Sequence, residues 1–347
     1  MDIIVLCGGI STEREVSIKS GTNVCEALRE KGHNAILLDS FFGNDDLFIL
    51  EKTKDHYDVE KAAAEIRSRN SEVPEEDPTG DAFMAESTIE ICRKSDMVFM
   101  ALHGKYGEDG ATQAIFDVEG IRYTGSGTEA SRIGMDKGAT KEMFFKNNIP
   151  CPKSVTIHKC ESTDLKDYGM EVPVVVKACN CGSSLGVVIV KNQEDYQAAV
   201  DECFTYDNQI IVEDFVEGRE FSVGVISGKA LPVVEIIPLQ GWYDYENKYK
   251  EGAVREDCPA DITDEERDKM QKAAEDACRV IGVEPYGRCD IIMDAEGNIY
   301  CLEVNTLPGM TKTSLIPREA QALGEDFSSL CDRLVKLSLE KYGAEVI

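Results

Sequence analysis

The chain has 347 residues, of which 42% are hydrophobic and 29% charged. That is enough for two or three domains with buried cores, and no apolar run reaches the roughly 18–20 residues that a membrane helix needs. Lys and Arg number 37 against 65 Asp and Glu, a net charge of −28, so no nucleic-acid partner is expected and any anionic ligand must be held by local cations, helix N-termini or metal. The 13 Cys include no CxxC pair, and Cys179 with Cys181 lacks a second ligand pair for a metal site. The opening MDIIVLCGG lacks the basic and long apolar regions of a signal peptide. These features predict a chain of the reducing cytoplasm, in which Cys serves as a small hydrophobe.

Asp2–Cys7 predicts a strand, followed by Gly8-Gly9. Ser11 predicts a helix cap, and Val16, Val24, Ala27 and Leu28 recur at near-helical spacing. Ala35–Leu38 and Met97–Leu102 predict strands that end at Asp39 and His103. Strand–helix–strand with glycines at the first turn predicts a parallel, Rossmann-like sheet, whose ligands would gather near Gly8, Gly9 and His103. Residues 40–95 show no clear period, and Glu72–Asp81 predicts an exposed acidic loop. One helix is predicted from Thr128 to Asn147, stopped at Ile149-Pro150. Strands follow at Val172–Lys177, Val187–Val190, Ile210–Glu213, Glu220–Ile226 and Ala230–Glu235, with a helix at Glu194–Phe204. Gln240–Pro259 predicts a polar loop and Asp264–Ile281 a long amphipathic helix. Arg288–Met293 and Ile299–Val304 predict a hairpin around Asp294-Ala295-Glu296-Gly297, and Phe327–Tyr342 a closing helix. The change from parallel to antiparallel character places a domain boundary near Gly127.

Four segments carry the residue types of chemistry. In Lys177–Gly186 a lysine ends an apolar strand and a small-residue loop follows, which suits a phosphate cradle but also a plain hairpin loop. Arg288-Cys289-Asp290 opposite Glu303-Val304-Asn305 brings hard oxygen ligands together beside an arginine; the alternative is a cross-strand ion pair. Asn305 leads into Thr306–Met310, a tight turn able to present a backbone N–H. Ser11–Ser17 after Gly8-Gly9 fits a capped surface helix and does not match GxGxxG. Ala101–Gly110, with His103 at a strand end among glycines, has the pattern of a binding loop.

In order along the chain, GGISTEREVS, ALHGKYGEDG, YTGSG followed by MDK, VKACNCGSSLGV, YDYENKY, GRCD and LEVNTLPGMTKTSLIP resemble the D-alanine–D-alanine ligases of the ATP-grasp superfamily, from Leu6 to Pro317. The resemblance implies an α/β chain with a Rossmann-like N-terminal domain (1–127). A two-part ATP-grasp fold would follow, with a central subdomain (128–208) and a C-terminal one (209–347) whose antiparallel sheets grip ATP.

It further implies that Lys137 and Lys177 contact the ATP phosphates, that Ser183 and Ser184 lie in the loop closing over them, and that Lys248 reaches the γ-phosphate. Glu213 and Val216 would meet the adenine and Glu220 the ribose. Asp290, Glu303 and Asn305 would hold two Mg²⁺ (or Mn²⁺), with Glu303 bridging. Glu13 would bind the ammonium of the first D-alanine, with Val16 and His103 in the same subsite, and Ser314 and Leu315 would form the second. Arg288 and the Gly309 N–H would stabilise the tetrahedral oxyanion. Glu13, Ser183 and Tyr249 would form a triad that locks a mobile loop. Asp214 departs from members that carry Lys there, and Ala178 and Cys181 depart in the phosphate loop.

The implied activity is ATP-dependent ligation through an acyl phosphate, supplying peptidoglycan precursors, in a cytoplasmic homodimer. A ligase of the same fold using D-lactate or D-serine is the alternative, and Tyr249 and Leu315 favour D-alanine. The missing GxGxxG speaks against a Rossmann-type oxidoreductase, and the filled catalytic positions against a silent nucleotide sensor.

Overall fold

The computed structural model describes residues 1–74, 83–182, 185–239 and 253–343. Among these residues, three sheets organise the chain. In the first, β1 (Asp2–Cys7) pairs in parallel with β2 (Asn34–Asp39) and β3 (Met97–Met100). Its strands are apolar on both faces because both are covered. Ile3, Val5 and Phe99 pack with Ile18, Val24 and Leu28 of the Arg14–Glu30 helix. Ile4, Leu6 and Val98 pack with Ile91 and Phe116 on the other side. The Phe327–Glu340 helix joins the first of these cores through Leu330, Leu334 and Val335.

The second sheet contains β4 (Ser154–His158), β5 (Val174–Ala178), β6 (Val187–Val190) and β7 (Gln209–Asp214) in the antiparallel order β4-β7-β5-β6. Val174 and Val176 turn toward Tyr196, Val200 and Cys203 of the Gln193–Tyr206 helix. The strand period of two therefore sends Val175 and Lys177 to the opposite face. The third sheet contains β8 (Arg219–Ile226), β9 (Lys229–Ala230), β10 (Val234–Pro238), β11 (Val254–Asp257), β12 (Tyr286–Met293) and β13 (Ile299–Asn305). Its order is β11-β10-β8-β12-β13, with β9 on β8. Val223, Cys289, Ile291 and Cys301 pack against Ala274 and Ala277 of the Asp264–Ile281 helix. That helix opens on a capping box of Thr263 and Glu266 and ends at Gly282, whose φ of 87° is left-handed and costs a glycine nothing.

Four sequence expectations change. The Thr128–Asn147 helix is two helices, Thr128–Met135 and Lys137–Lys146, because Asp136 breaks the run and its side chain accepts the Ala139 N–H. Ser11 does not cap the first helix; its hydroxyl accepts the Glu13 N–H, and the helix begins at Arg14. The Ala230–Glu235 strand is split into β9 and β10 around Pro232, which has no N–H for the ladder. Within the Gln240–Pro259 loop, Val254–Asp257 is the edge strand β11, whose charged side chains suit an edge. The helix Leu315–Ala322 is not among the sequence expectations; Pro317 lies in its first turn, where proline is tolerated. Part of the Glu72–Asp81 segment lies outside the described residues, as does most of Gln240–Pro259.

Candidate active site

The second and third sheets face each other across a cleft of about 170 Å³, lined from one side by Val175, Lys177 and Glu213 and from the other by Glu220, Ile236, Asp290 and Glu303. It opens beside a larger cavity of about 880 Å³ that reaches the first sheet. Lys137, Cys181, Gly182 and Glu303 line both. A ligand extending along the cleft therefore presents its end to whatever occupies the cavity.

In the cleft, charge is organised around Glu213. Lys177 Nζ donates to its Oε2 at 2.6 Å, and Lys141 Nζ lies 3.1 Å from its Oε1. Burial pushes the Glu213 carboxyl up, but the two lysines outweigh burial and hold it below the ordinary carboxylate range. Burial pushes Lys177 down, and Glu213 more than reverses this, leaving its pKa raised. Val216 and Glu220 line the same cleft.

At the mouth, β12 and β13 set Asp290 opposite Glu303 and Arg288 opposite Asn305. The register slips between Asp290 and Ile291. With this bulge, Leu302 and Glu303, neighbours that a regular strand would send to opposite faces, both reach the cleft. Arg288 grips Asp290 with two bonds, Nε to Oδ1 at 2.9 Å and a terminal nitrogen to Oδ2 at 3.0 Å, and the Ser222 hydroxyl donates to Oδ1 at 2.8 Å. Asn305 Oδ1 accepts the Leu307 N–H at 2.9 Å, which shapes the turn toward Gly309. Lys137 Nζ donates to the Cys181 carbonyl at 2.6 Å and lies 3.9 Å from Glu303.

The large cavity collects residues from three places: Glu13, Val16 and His103 from the first sheet's loops, Arg288 and Asn305 from β12 and β13, and Gly309, Ser314 and Leu315 beyond them. The loops are tied down by Ser17, whose hydroxyl accepts the Gly8 N–H and donates to the Ala101 carbonyl. Glu13 is buried, and glycines let two loops approach it. A Cβ at Gly104 would lie 2.7 Å from Glu13 Oε2, and one at Gly182 would lie 3.0 Å away. His103 Nε2 is 3.1 Å from the Ser20 hydroxyl, and its Nδ1 is 3.9 Å from Glu108. Burial raises the Glu108 pKa, His103 partly opposes this, and the Glu13 charge adds to it. Ser314 precedes the Leu315–Ala322 helix, and its Oγ accepts the Thr311 N–H.

Every candidate site residue within the described residues lines one of the two spaces. Ser183, Ser184, Lys248 and Tyr249 lie outside the described residues. Sequence reasoning assigned nothing to Glu108, Lys141, Ser222, Glu256 or Arg318. Glu108 stood in a quoted motif, whereas the burial of Lys141 and the 2.8 Å Arg318–Glu256 pair had no local signal.

Two antiparallel sheets closing on a lysine-bearing cleft, with paired carboxylates at its mouth and a second cavity beyond, define an ATP-grasp ligase. The family described as D-ala D-ala ligase N-terminus matches residues 2–126, and the one described as D-ala D-ala ligase C-terminus matches residues 147–336. The D-alanine--D-alanine ligase of Pediococcus pentosaceus is 38% identical, over 96% of this chain and 97% of its own. That of Lacticaseibacillus casei is 37% identical, over 99% and 97%. A crystal structure of D-alanine--D-alanine ligase from Bacillus anthracis superposes with TM-score 0.75 at 26% identity, covering 99% of this chain and all of that one. The same enzyme complexed with ATP gives TM-score 0.73. The chain belongs to the D-alanine–D-alanine ligase family.

Proposed function

We propose that the chain joins two D-alanines into D-alanyl-D-alanine at the expense of ATP, as the precursor step for a peptidoglycan cross-link. The observation that carries this reading is the shared lining of cleft and cavity by Lys137, Cys181, Gly182 and Glu303. A nucleotide in the cleft delivers its phosphate end there, where a carboxylate in the cavity can meet it.

A carboxylate is a poor acylating agent. The first D-alanine carboxylate takes the γ-phosphoryl group, releasing ADP and forming an acyl phosphate. Lys137 and Lys177 offset the charge on the transferring group, with Lys248 and the Ser183-Ser184 loop assigned to the same task by resemblance. Val216 and Glu213 edge the adenine end, and Glu220 the ribose. Glu13, with Val16 and His103 beside it, holds the first ammonium. The amine of the second D-alanine attacks the acyl carbonyl, and phosphate leaves. Arg288 and the Gly309 N–H meet the oxyanion. Ser314 and Leu315 open a helix whose N-terminus suits the second carboxylate. Gly182, immediately before Ser183, already approaches Glu13, which supports the assigned Glu13–Ser183–Tyr249 contact and the exclusion of water from the acyl phosphate.

The residues at the mouth fit magnesium or manganese. Asp290 and Glu303 stand directly across β12 and β13, with Arg288 on Asp290 and Lys137 3.9 Å from Glu303, and carboxylate oxygens are the hard donors that such ions take. Among the described residues no three of His, Cys, Asp and Glu converge as a metal site. Two carboxylates and the Asn305 amide would therefore hold the ions only together with phosphate oxygens, the hard-ligand arrangement usual for Mg²⁺. Bound there, the ions would neutralise charge on the transferring phosphoryl group.

No described helix is long and apolar enough to cross a membrane; a cytoplasmic homodimer is part of the proposal. The D-lactate and D-serine alternatives are not favoured, since the relatives at 37–38% identity carry the D-alanine--D-alanine name. The test is purified protein with D-alanine, ATP and Mg²⁺, with phosphate release followed by colour reaction and the product by mass. Dipeptide matched to phosphate is expected; D-alanine-independent ATP hydrolysis alone would overturn the reading.

A further inference from the structure

The Lys137–Lys146 helix presents Lys137 and Lys141 on one face, four residues apart. Lys137 reaches the mouth of the cleft, but Lys141 lines neither space. Its side chain is 2% exposed, its Nζ donates to the Cys301 carbonyl at 3.1 Å, and it lies 3.1 Å from Glu213 Oε1. Glu213 is also 2% exposed, and its other oxygen takes the 2.6 Å bond from Lys177. A buried ammonium is costly unless paired, and here two share one carboxylate.

The charge count shows what this does. Lys177 and Glu213 alone would form a neutral pair, and phosphates entering the cleft would meet a dipole. With Lys141 behind, the trio carries one net positive charge, and only Lys177 and Glu213 of the three face the cleft. We infer that Lys141 is a positioning residue that neutralises Glu213 from behind, so that Lys177 keeps its positive charge for the nucleotide phosphates. The inference rests on the reading of the cleft as an ATP site. Its alternative is a plain anchor of the helix to β7 and β13.

The two differ in which part of the nucleotide feels the change. In the full-length protein, Lys141→Met should weaken calorimetric binding of ATP with Mg²⁺ and of ADP about tenfold or more. Binding of adenosine, which has the ring and ribose but no phosphate, should stay within about twofold by the same reasoning. The double variant Lys141→Met/Glu213→Gln removes both buried charges and leaves Lys177 cationic, so its ATP-to-adenosine affinity ratio should return to near the wild-type value, whatever the loss of the Glu213 contact costs both ligands together. Equal losses for ATP and adenosine in Lys141→Met, an unchanged ATP affinity there, or an ATP-to-adenosine ratio in the double variant as low as in Lys141→Met would each overturn the inference. If Lys141→Met does not fold, the ATP-to-adenosine affinity ratio of the double variant decides: near wild type supports the inference, collapsed overturns it. Wild-type protein that fails to bind ATP would instead overturn the cleft reading itself.

Discussion

The narrow cleft and the wide cavity are built differently. The cleft is walled mainly by strands, with one bulge beside Asp290, and its charges are matched at close range: Glu213 between two lysines, Asp290 under a two-bond grip from Arg288. The cavity is walled by strand-end loops and helix starts drawn from distant parts of the chain, around Glu13, His103, Gly309 and Ser314. Strands hold charged groups to fixed spacings, which suits a polyanion whose charges stand at set distances along it. Loops allow close backbone approach, as glycines 104 and 182 do at Glu13, which suits small substrates that must be enclosed and then released.

The largest effect should come from breaking the strand-built side. Asp290→Asn and Glu303→Gln each remove a carboxylate from the mouth and should abolish dipeptide formation, with the melting transition retained. Near-normal turnover at saturating Mg²⁺ would remove these residues from the metal proposal. Arg288→Ala should lower kcat about 100–1000-fold, the usual cost of losing an oxyanion donor, with little change in the KM for ATP. A rise confined to the ATP KM would make Arg288 a nucleotide contact, and the cleft would then extend further than drawn.

The acceptor side is sharpened by Tyr249→Phe, at a position that only the resemblance assigns. Loss of the phenol oxygen should leave D-alanine ligation at reduced efficiency and admit measurable ester formation with D-lactate, more at lower pH, where free amine is scarce. Product ratios from competition of the two acceptors across roughly pH 6–9 check this, a range that spans much of amine titration. Ratios that stay at wild-type values throughout would take acceptor choice away from Tyr249.

The smallest effect concerns Glu319, fully buried behind the third sheet, where both its carboxylate oxygens lie 3.0 Å from the Gly224 nitrogen. Burial raises its pKa well above the ordinary 4.5, with the Gly224 N–H and Arg288 opposing and Asp290 adding. The folded state therefore holds a proton that the unfolded state has released. Its contribution to stability falls as pH rises above the unfolded value, by at most about 1.4 kcal/mol per pH unit. Glu319→Gln keeps an acceptor for Gly224 and removes that slope. Its Tm should exceed wild type by more at pH 8 than at pH 5, at about 2–4 °C per kcal/mol. An equal difference at both pH values would mean that Glu319 is already ionised in the folded protein at pH 5 and holds no extra proton there.

Sequence alone determined the features carried by near neighbours. The apolar runs of β1, β2 and β3, the hairpin turn at Asp294–Gly297, the long helix from Asp264 and the order of motifs from Leu6 to Pro317 depend on period, turn chemistry or residue identity at short spacing. Tertiary structure decided what depends on distant partners. Asp136 breaks a helix that periodicity alone continues, and β11 is a strand because β10 supplies its ladder. The bulge beside Asp290 brings Glu303 into the cleft together with Leu302. Lys141 looks like any helical lysine until Glu213 and Cys301, 72 and 160 residues away in sequence, are folded against it. A local pattern reports which face of an element is apolar, but the charge a buried group meets is set by residues that only the fold brings within a few ångströms.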